Sequence, residues 1–342
     1  MPTAPVDSKG TELSFTDTGP VHGSDTYTTL VVLHGCGFPA EKDDLRLVVV
    51  NRRAYGGSTK YGEAELEELR TGQASFLHRI ASELANFLVW LIDTNHIPPT
   101  SEDGSQGGIC LMGWSLGNTS VMTLLAYPDV IPPEISAKLE QYLRKIVLYD
   151  PPHCVFGLDK PKRSYDPFED PELANDPARA FRHFCLWATA YYSHRDLSAA
   201  RYMSGLDYSK LGTNSAMMDA SEEEWATITD GQAAANADVG MIYWMQPAIR
   251  IQTRNVLFRE RIFEKFLPKV EITLLYGTAS FWTSVFAVLE LERQYGEHRA
   301  KGRNARPMTF FALQDSSHFA HWDEPERFWA AVVEAINTSS VI

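Results

Sequence analysis

Gly113-Trp114-Ser115-Leu116-Gly117 follows an apolar run, Ile109-Cys110-Leu111-Met112, and leads into a stretch of helical character from Asn118 to Tyr127. The run reads as a strand, so the order is strand, sharp turn, helix, with small residues two before and two after a serine. Such a turn strains the serine's backbone, and its flanking positions must lack bulky side chains. It lifts the hydroxyl clear of the strand ends and aims the positive end of the next helix at the same place. A glycine-rich turn without chemistry is the plain alternative. Context separates the two, and both the strand before and the helix after are present. Ser115 is therefore the candidate nucleophile.

Outward from there the chain alternates. Strands are predicted at Thr11–Phe15, Thr28–Leu33, Leu45–Val50, Ile146–Tyr149, Val270–Tyr276 and Met308–Leu313. Leu45–Val50 is β-branched and unbroken, as a strand covered on both faces should be. Helices are predicted at Gln73–His96, Glu134–Arg144 and Phe281–Tyr295, with a last one ending near Asn337. The alternation predicts an α/β fold, a mostly parallel central sheet with helices on both faces. From His153 to Lys269 no strong strand interrupts helical stretches such as Pro177–His194 and Trp225–Phe266. The expected organisation is a core of residues 1–152 and 270–342 with residues 153–269 inserted as a helical cap. Cys36 to Asp44 is short for a parallel crossover carrying a helix, so a turn is expected there. Arg299–Arg306 reads as a solvated basic loop.

The 342 residues, 44% of them hydrophobic, suffice for two units or for one large domain with an insertion. A formal charge of −13 disfavours nucleic acid and anionic membranes as partners. Cys36, Cys110, Cys154 and Cys185 are widely spaced and read as reduced thiols, not as a disulfide framework or a zinc site. The first residues lack the apolar core of a signal peptide, no run is long enough to span a membrane, and the chain does not end in Ser-Lys-Leu. A cytoplasmic location is expected. No ligand cluster or phosphate loop is visible, so no metal or organic cofactor is expected.

A serine hydroxyl is a weak nucleophile near neutral pH. It needs a base, and the base needs an acid to orient it. His318, on the loop after the last strand, is the candidate base, while His321 reads as an anchor for the final helix. Residues 153–269 are rich in aromatic side chains. Trp187, Tyr191 and Trp244, with Trp114 and Phe38, are candidates for the lining of an apolar substrate pocket.

Taken together, His34-Gly35-Cys36-Gly37, the stretch Gly113 to Gly117 and the His318 loop resemble the α/β-hydrolase superfamily over nearly the whole chain. Asn51 to Ser58 is similar to that family's Asp-x-Arg-Gly-x-Gly-x-Ser stretch, with Asn51 and Ala54 in place of the Asp and the first Gly. Leu33 to Pro39 and Tyr149 to His153 are further similar to hydrolases of fungal toxin and polyketide pathways. The resemblance implies an oxyanion hole formed by the N–H groups of Leu116 and Cys36, with Gly37 as the alternative to Cys36. It also implies an Asp in the turn after the penultimate strand, yet that turn reads Gly277-Thr278-Ala279-Ser280. Some members carry the acid at the end of the strand after the elbow helix, where Asp150 stands. Asp150 is the candidate acid; Glu290, Glu292 and a Ser115–His318 dyad remain alternatives. The implied function is hydrolysis of a small apolar ester, lactone or thioester through an acyl-enzyme. Acyl transfer or cyclisation from the same acyl-enzyme is one rival, and a ligand-binding protein on the same frame is the other.

Overall fold

The computed structural model describes residues 1–33, 45–162, 164–197 and 202–338. Its strands are β1 (Thr3–Pro5), β2 (Glu12–Asp17), β3 (Thr28–Leu33), β4 (Leu45–Val50), β5 (Ile109–Trp114), β6 (Leu143–Tyr149), β7 (Glu271–Gly277) and β8 (Met308–Leu313). They form one eight-stranded sheet in the order β1-β2-β4-β3-β5-β6-β7-β8. The β1–β2 and β2–β4 pairs are antiparallel, and every later pair is parallel. The chain places β4 on one side of β3 and β5 on the other. That reversal opens a crevice at the carboxyl ends of the strands, where ligands bind in open α/β sheets.

Side-chain alternation along the strands builds two cores. Val31, Leu33, Val48 and Val50 face one, together with Phe76 to Ile92 of the helix α2 (Ala74–Asn95) and Val121 to Ala126 of α3 (Gly117–Ala126). Leu30, Val32, Leu47, Cys110 and Met112 face the other, against Phe328 and Val332 of the last helix, Pro325–Asn337. Helices thus cover both faces. Every residue of β3, β5 and β6 is buried, and each strand carries an apolar run, Leu30–Leu33, Ile109–Met112 and Ile146–Tyr149.

Several boundaries differ from the sequence reading for local reasons. The helix α1 (Glu63–Arg70) went unseen because its only large apolar residues are Leu66 and Leu69 in a charged octet. The stretch from Trp225 to Phe266 is not one helix. It breaks at Asp230, whose carboxylate caps a new start at the Ala233 N–H (2.9 Å), and again before Gln246, where Pro247 occupies the first turn. Among the described residues between β6 and β7 the regular elements are all helical, joined by loops in which Tyr191 and Thr213 form an isolated bridge. The segment Cys36–Asp44 lies outside the described residues, but β3 and β4 on either side of it pair in parallel from Thr28↔Leu45 to Leu33↔Val50.

Arg306 corrects the reading of Arg299–Arg306 as wholly solvated. It is 0% exposed, and its guanidinium donates to the carbonyls of Val256, Phe266, Leu267 and Val270. Of these, Val256 lies in the last turn of the helix Gln246–Leu257, where the dipole favours a cation. Burial lowers the Arg306 pKa to about 10, which leaves it charged at neutral pH.

Ala54 adopts φ 76° in the bend after β4. A left-handed backbone costs a non-glycine residue about 1–2 kcal/mol, while glycine gives back about 0.5–1 kcal/mol through its freer unfolded chain. Ala54→Gly is therefore expected to stabilise the protein by about 0.5–1 kcal/mol. The check is the urea midpoint, which should rise at unchanged slope; a lower midpoint would mean that the Ala54 methyl packs more favourably than its strain costs.

Candidate active site

Ser115 sits between the end of β5 and the start of α3 with φ 52°, the strained turn expected of Gly113 to Gly117. Its N–H donates to the Tyr149 carbonyl at 3.0 Å, which ties the turn to the end of β6. Asn118 completes the tie, its side-chain amide donating to the carbonyls of Ser115 (2.7 Å) and Tyr149 (2.9 Å). A Cβ at Gly113 would lie 2.6 Å from Asn118 Cα and 2.7 Å from its N, so the strand must present glycine there. Leu116 stands at the N-cap of α3, where helical N–H groups have no partner within the helix.

Asp150 directly follows β6, is 0% exposed and also has positive φ, 44°. Its N–H donates to the Leu275 carbonyl at 2.8 Å, and Pro151 and Pro152 stiffen the bend beyond it. One carboxylate oxygen, Oδ1, accepts the Gly277 N–H at 2.9 Å. The other, Oδ2, accepts the Ser280 hydroxyl at 2.6 Å and meets His318 Nδ1 at 2.5 Å. A carboxylate can only accept here, so Nδ1 carries the proton and Nε2 is left as the basic nitrogen. Trp114 Nε1 and the Tyr149 hydroxyl both donate to the His318 carbonyl, each at 3.2 Å, and Phe281 packs against the ring at 4.8 Å between centroids.

Ser115, Leu116 and His318 open onto one cavity of about 680 Å³. No hydrogen bond joins Ser115 to His318 in this state; such contacts often tighten only when substrate binds. Asp150 lies behind His318. The cavity is walled on one side by the strand ends and on the other by residues of the segment between β6 and β7, including Phe181, Phe184, Trp187 and Tyr243. Arg52 pairs with Asp238 at 2.8 and 2.9 Å, and the Tyr55 hydroxyl donates to Asp238 at 2.6 Å. Burial opposes the Arg52 charge, but Asp238 and Tyr55 more than offset it and hold its pKa above the ordinary value. His153, also in the wall, is pulled down to about 4 by burial and by the Lys160 charge, and so is neutral at physiological pH.

Of the residues expected to bind substrate, Trp114 and Trp187 line this cavity. Tyr191 and Trp244 do not, which corrects the sequence reading. The Tyr191 hydroxyl is turned to Asp323 (2.9 Å) and Glu324 (3.2 Å), and Trp244 is 46% exposed at the surface. Cys36 and Phe38 lie outside the described residues. Glu290 pairs with Arg293 at 2.6 Å, Glu292 faces solvent, and neither approaches His318 within hydrogen-bonding distance. His321 is buried 4.2 Å from the Trp114 ring, and burial together with His318 pushes its pKa well down, so it packs as a neutral ring beneath the site. Asn118 and Ser280 were missed. Both are small polar residues with a partner distant in sequence, Tyr149 for Asn118 and Asp150 for Ser280, a relation that spacing along the chain cannot reveal. Among the described residues no group of three or more His, Cys, Asp or Glu is arranged to hold a metal ion, and no helix is long and apolar enough to cross a membrane.

No family model and no curated protein sequence matches the chain. Solved structures do match along its full length. A bromoperoxidase from Bacillus anthracis has a TM-score of 0.53 at 12% identity, covering 98% of this chain and 99% of that one. Est816, an N-acyl homoserine lactone degrading enzyme, has a TM-score of 0.53 at 12% identity, with coverage of 97% and 98%. Epoxide hydrolase A from Mycobacterium thermoresistibile has a TM-score of 0.50 at 18% identity, with coverage of 100% and 99%. At such identities the likeness concerns the fold.

Because the Asn118 backbone cannot yield to a Cβ at residue 113, Gly113→Ala is expected to destabilise the protein by about 1–3 kcal/mol, as overpacking does in cores. Chemical denaturation measures this directly. A variant as stable as the wild type would mean that α3 can shift away from β5.

Proposed function

The chain has the α/β-hydrolase fold, and on that frame we propose a serine hydrolase that cleaves an apolar ester, lactone or thioester. The observation that carries the reading is the 2.5 Å contact between Asp150 and His318, beside a cavity onto which the strained Ser115 also opens. In this reading Ser115 Oγ attacks the carbonyl carbon while His318 Nε2 takes its proton. The negative oxygen of the tetrahedral intermediate is held by the Leu116 N–H at the start of α3, with the Cys36 N–H assigned as second donor from the sequence alone. His318 then gives the proton to the departing alkoxide or thiolate. Water, deprotonated by the same nitrogen, releases the acid and restores Ser115. Asp150 keeps the Nδ1 proton in place and stabilises the imidazolium.

Residues 153–269 act as the cap in this proposal, and the aromatic wall selects an apolar, uncharged substrate. The pairing of Arg52 with Asp238 in that wall supports this, since the two charges neutralise each other. A role in secondary metabolism belongs to the same reading and rests on the stretches Leu33 to Pro39 and Tyr149 to His153. The second reading, a ligand-binding protein on the same frame, draws on the missing Ser115–His318 hydrogen bond.

Intact-mass analysis after treatment with a fluorophosphonate separates the two. A stoichiometric adduct on Ser115, lost in Ser115→Ala, is the expected result; folded protein that takes no adduct would favour the binding protein. Asp150→Asn should slow labelling by roughly 10³–10⁴-fold, the scale on which triad acids act. A rate near wild type in that variant would remove Asp150 from the role of acid.

A further inference from the structure

We propose that Ser280 is a positioning residue that aims the Asp150 carboxylate at His318, and that the strap of residues 191–194 holds Ser280 in place. The inference rests on the serine-hydrolase reading for its functional meaning but on separate contacts for its geometry. The terminal torsion of an aspartate is broad and roughly two-fold, so a rotamer preference alone does not aim its oxygens. At Asp150 the aim is set by two donors, one on each oxygen. The Gly277 N–H holds Oδ1 at 2.9 Å, and the Ser280 hydroxyl holds Oδ2, the oxygen that meets His318, at 2.6 Å. Ser280 is 0% exposed, so water cannot replace that donor. A hydroxyl has a single proton, and a carboxylate neighbour fixes its direction.

Ser280 is itself held from the other side. Its N–H donates to the Gly277 carbonyl at 3.2 Å, closing the turn after β7. Its carbonyl accepts from His194 Nε2 at 2.7 Å, while His194 Nδ1 accepts the Asp207 N–H at 2.9 Å. These two bonds specify a neutral imidazole with its proton on Nε2, and burial of the ring lowers its pKa in the same sense. Two residues earlier, the Tyr192 N–H donates to the Ala279 carbonyl at 2.9 Å. His194 and Tyr192 belong to the segment between β6 and β7. That segment therefore grips the turn that grips the acid. The residue that cannot carry a charge in this turn instead orients the charge that stands one strand away.

The test uses the full chain with Ser280→Ala and the near-isosteric Ser280→Cys, a weak donor, beside Ser280→Thr, which keeps a hydroxyl. Three quantities are measured: the thermal midpoint, the rate of fluorophosphonate labelling of Ser115, and the far-downfield proton resonance of the Asp150–His318 pair. In the folded Ala and Cys variants labelling is expected to slow by roughly tenfold to a hundredfold, the scale of a small misplacement of a catalytic group. The downfield resonance should shift or broaden in both, and the Thr variant should recover both signals. Ala and Cys variants with wild-type labelling and an unmoved resonance would overturn the proposal. If wild-type Ser115 takes no adduct, the hydrolase reading fails by itself. The resonance needs no turnover, so an unmoved signal in Ser280→Ala would then still refute the positioning role, and a displaced one would uphold it.

Discussion

A carboxylate withdrawn completely from water must have its oxygens satisfied by other donors, and Asp150 places that demand on three residues far from it in sequence. It leaves β6 at the edge where β5, β7 and β8 also end. Its N–H is bonded to Leu275 in β7, and its oxygens to Gly277, Ser280 and His318. None of these contacts is local in sequence. Each requires neighbouring strands to be in register to within a residue, because a one-residue slip would turn every side chain to the opposite face. The parallel pairings Tyr149↔Leu275 and Gly277↔Leu313 supply that register. A mispaired sheet would leave a buried charge without donors, so the site and the strand order select each other.

The cavity has a different electrostatic character. Its wall is largely apolar, and two of the charges that enter it, Arg52 and Asp238, form a closed pair. Arg52 comes from the bend after β4 and Asp238 from the helical segment after β6, so their contact also joins the segment to the sheet. A bidentate guanidinium–carboxylate pair fixes orientation as well as charge. An isolated Arg52 would call for an anionic ligand; the paired one gives no such invitation. The Arg52–Asp238 pair thus adds no net charge to the cavity wall.

What could be read from the chain follows the range of each interaction. The turn at Ser115 was legible because its strain and its need for small neighbours act within a few residues. Strand and helix alternation was legible for the same reason, since burial on both faces writes itself into the strands as the apolar runs Leu30–Leu33, Ile109–Met112 and Ile146–Tyr149. Asp150 was legible only through its position at a strand end. Ser280 and Asn118 were not, because a serine or asparagine gains its meaning from partners distant in sequence. Tyr191 and Trp244 misled for the opposite reason. Aromatic content marks a segment as rich in apolar surface but does not say which ring faces the cavity, and here one tyrosine is drawn away by Asp323 and Glu324. Arg306 shows the same limit for charge: among exposed basic neighbours, it is the one that finds four backbone carbonyls.

Backbone strain gathers on one edge of the molecule. Of the seven non-glycine residues with positive φ among the described residues, Ala54, Ser115, Asp150 and Asp315 follow β4, β5, β6 and β8, all at the carboxyl edge of the parallel strands. Each such residue costs of order 1–3 kcal/mol and persists only where its surroundings over-determine it. The surroundings here are rigid, because the central strands are buried at every position. A turn that served merely to end a strand would use glycine and avoid the cost. Retaining a side chain makes sense where that side chain has work that glycine cannot do, and at Ser115 and Asp150 it does: a hydroxyl opening onto the cavity and a carboxylate with three donors. At Asp315 the N–H donates to Thr278 Oγ1 at 2.8 Å and binds the end of β8 to the turn after β7. The methyl group of Ala54 makes no hydrogen bond. Strain alone therefore does not set a residue apart: Asp150 joins it to a carboxylate with three donors and Ser115 to a hydroxyl that opens onto the cavity, whereas Ala54 offers neither.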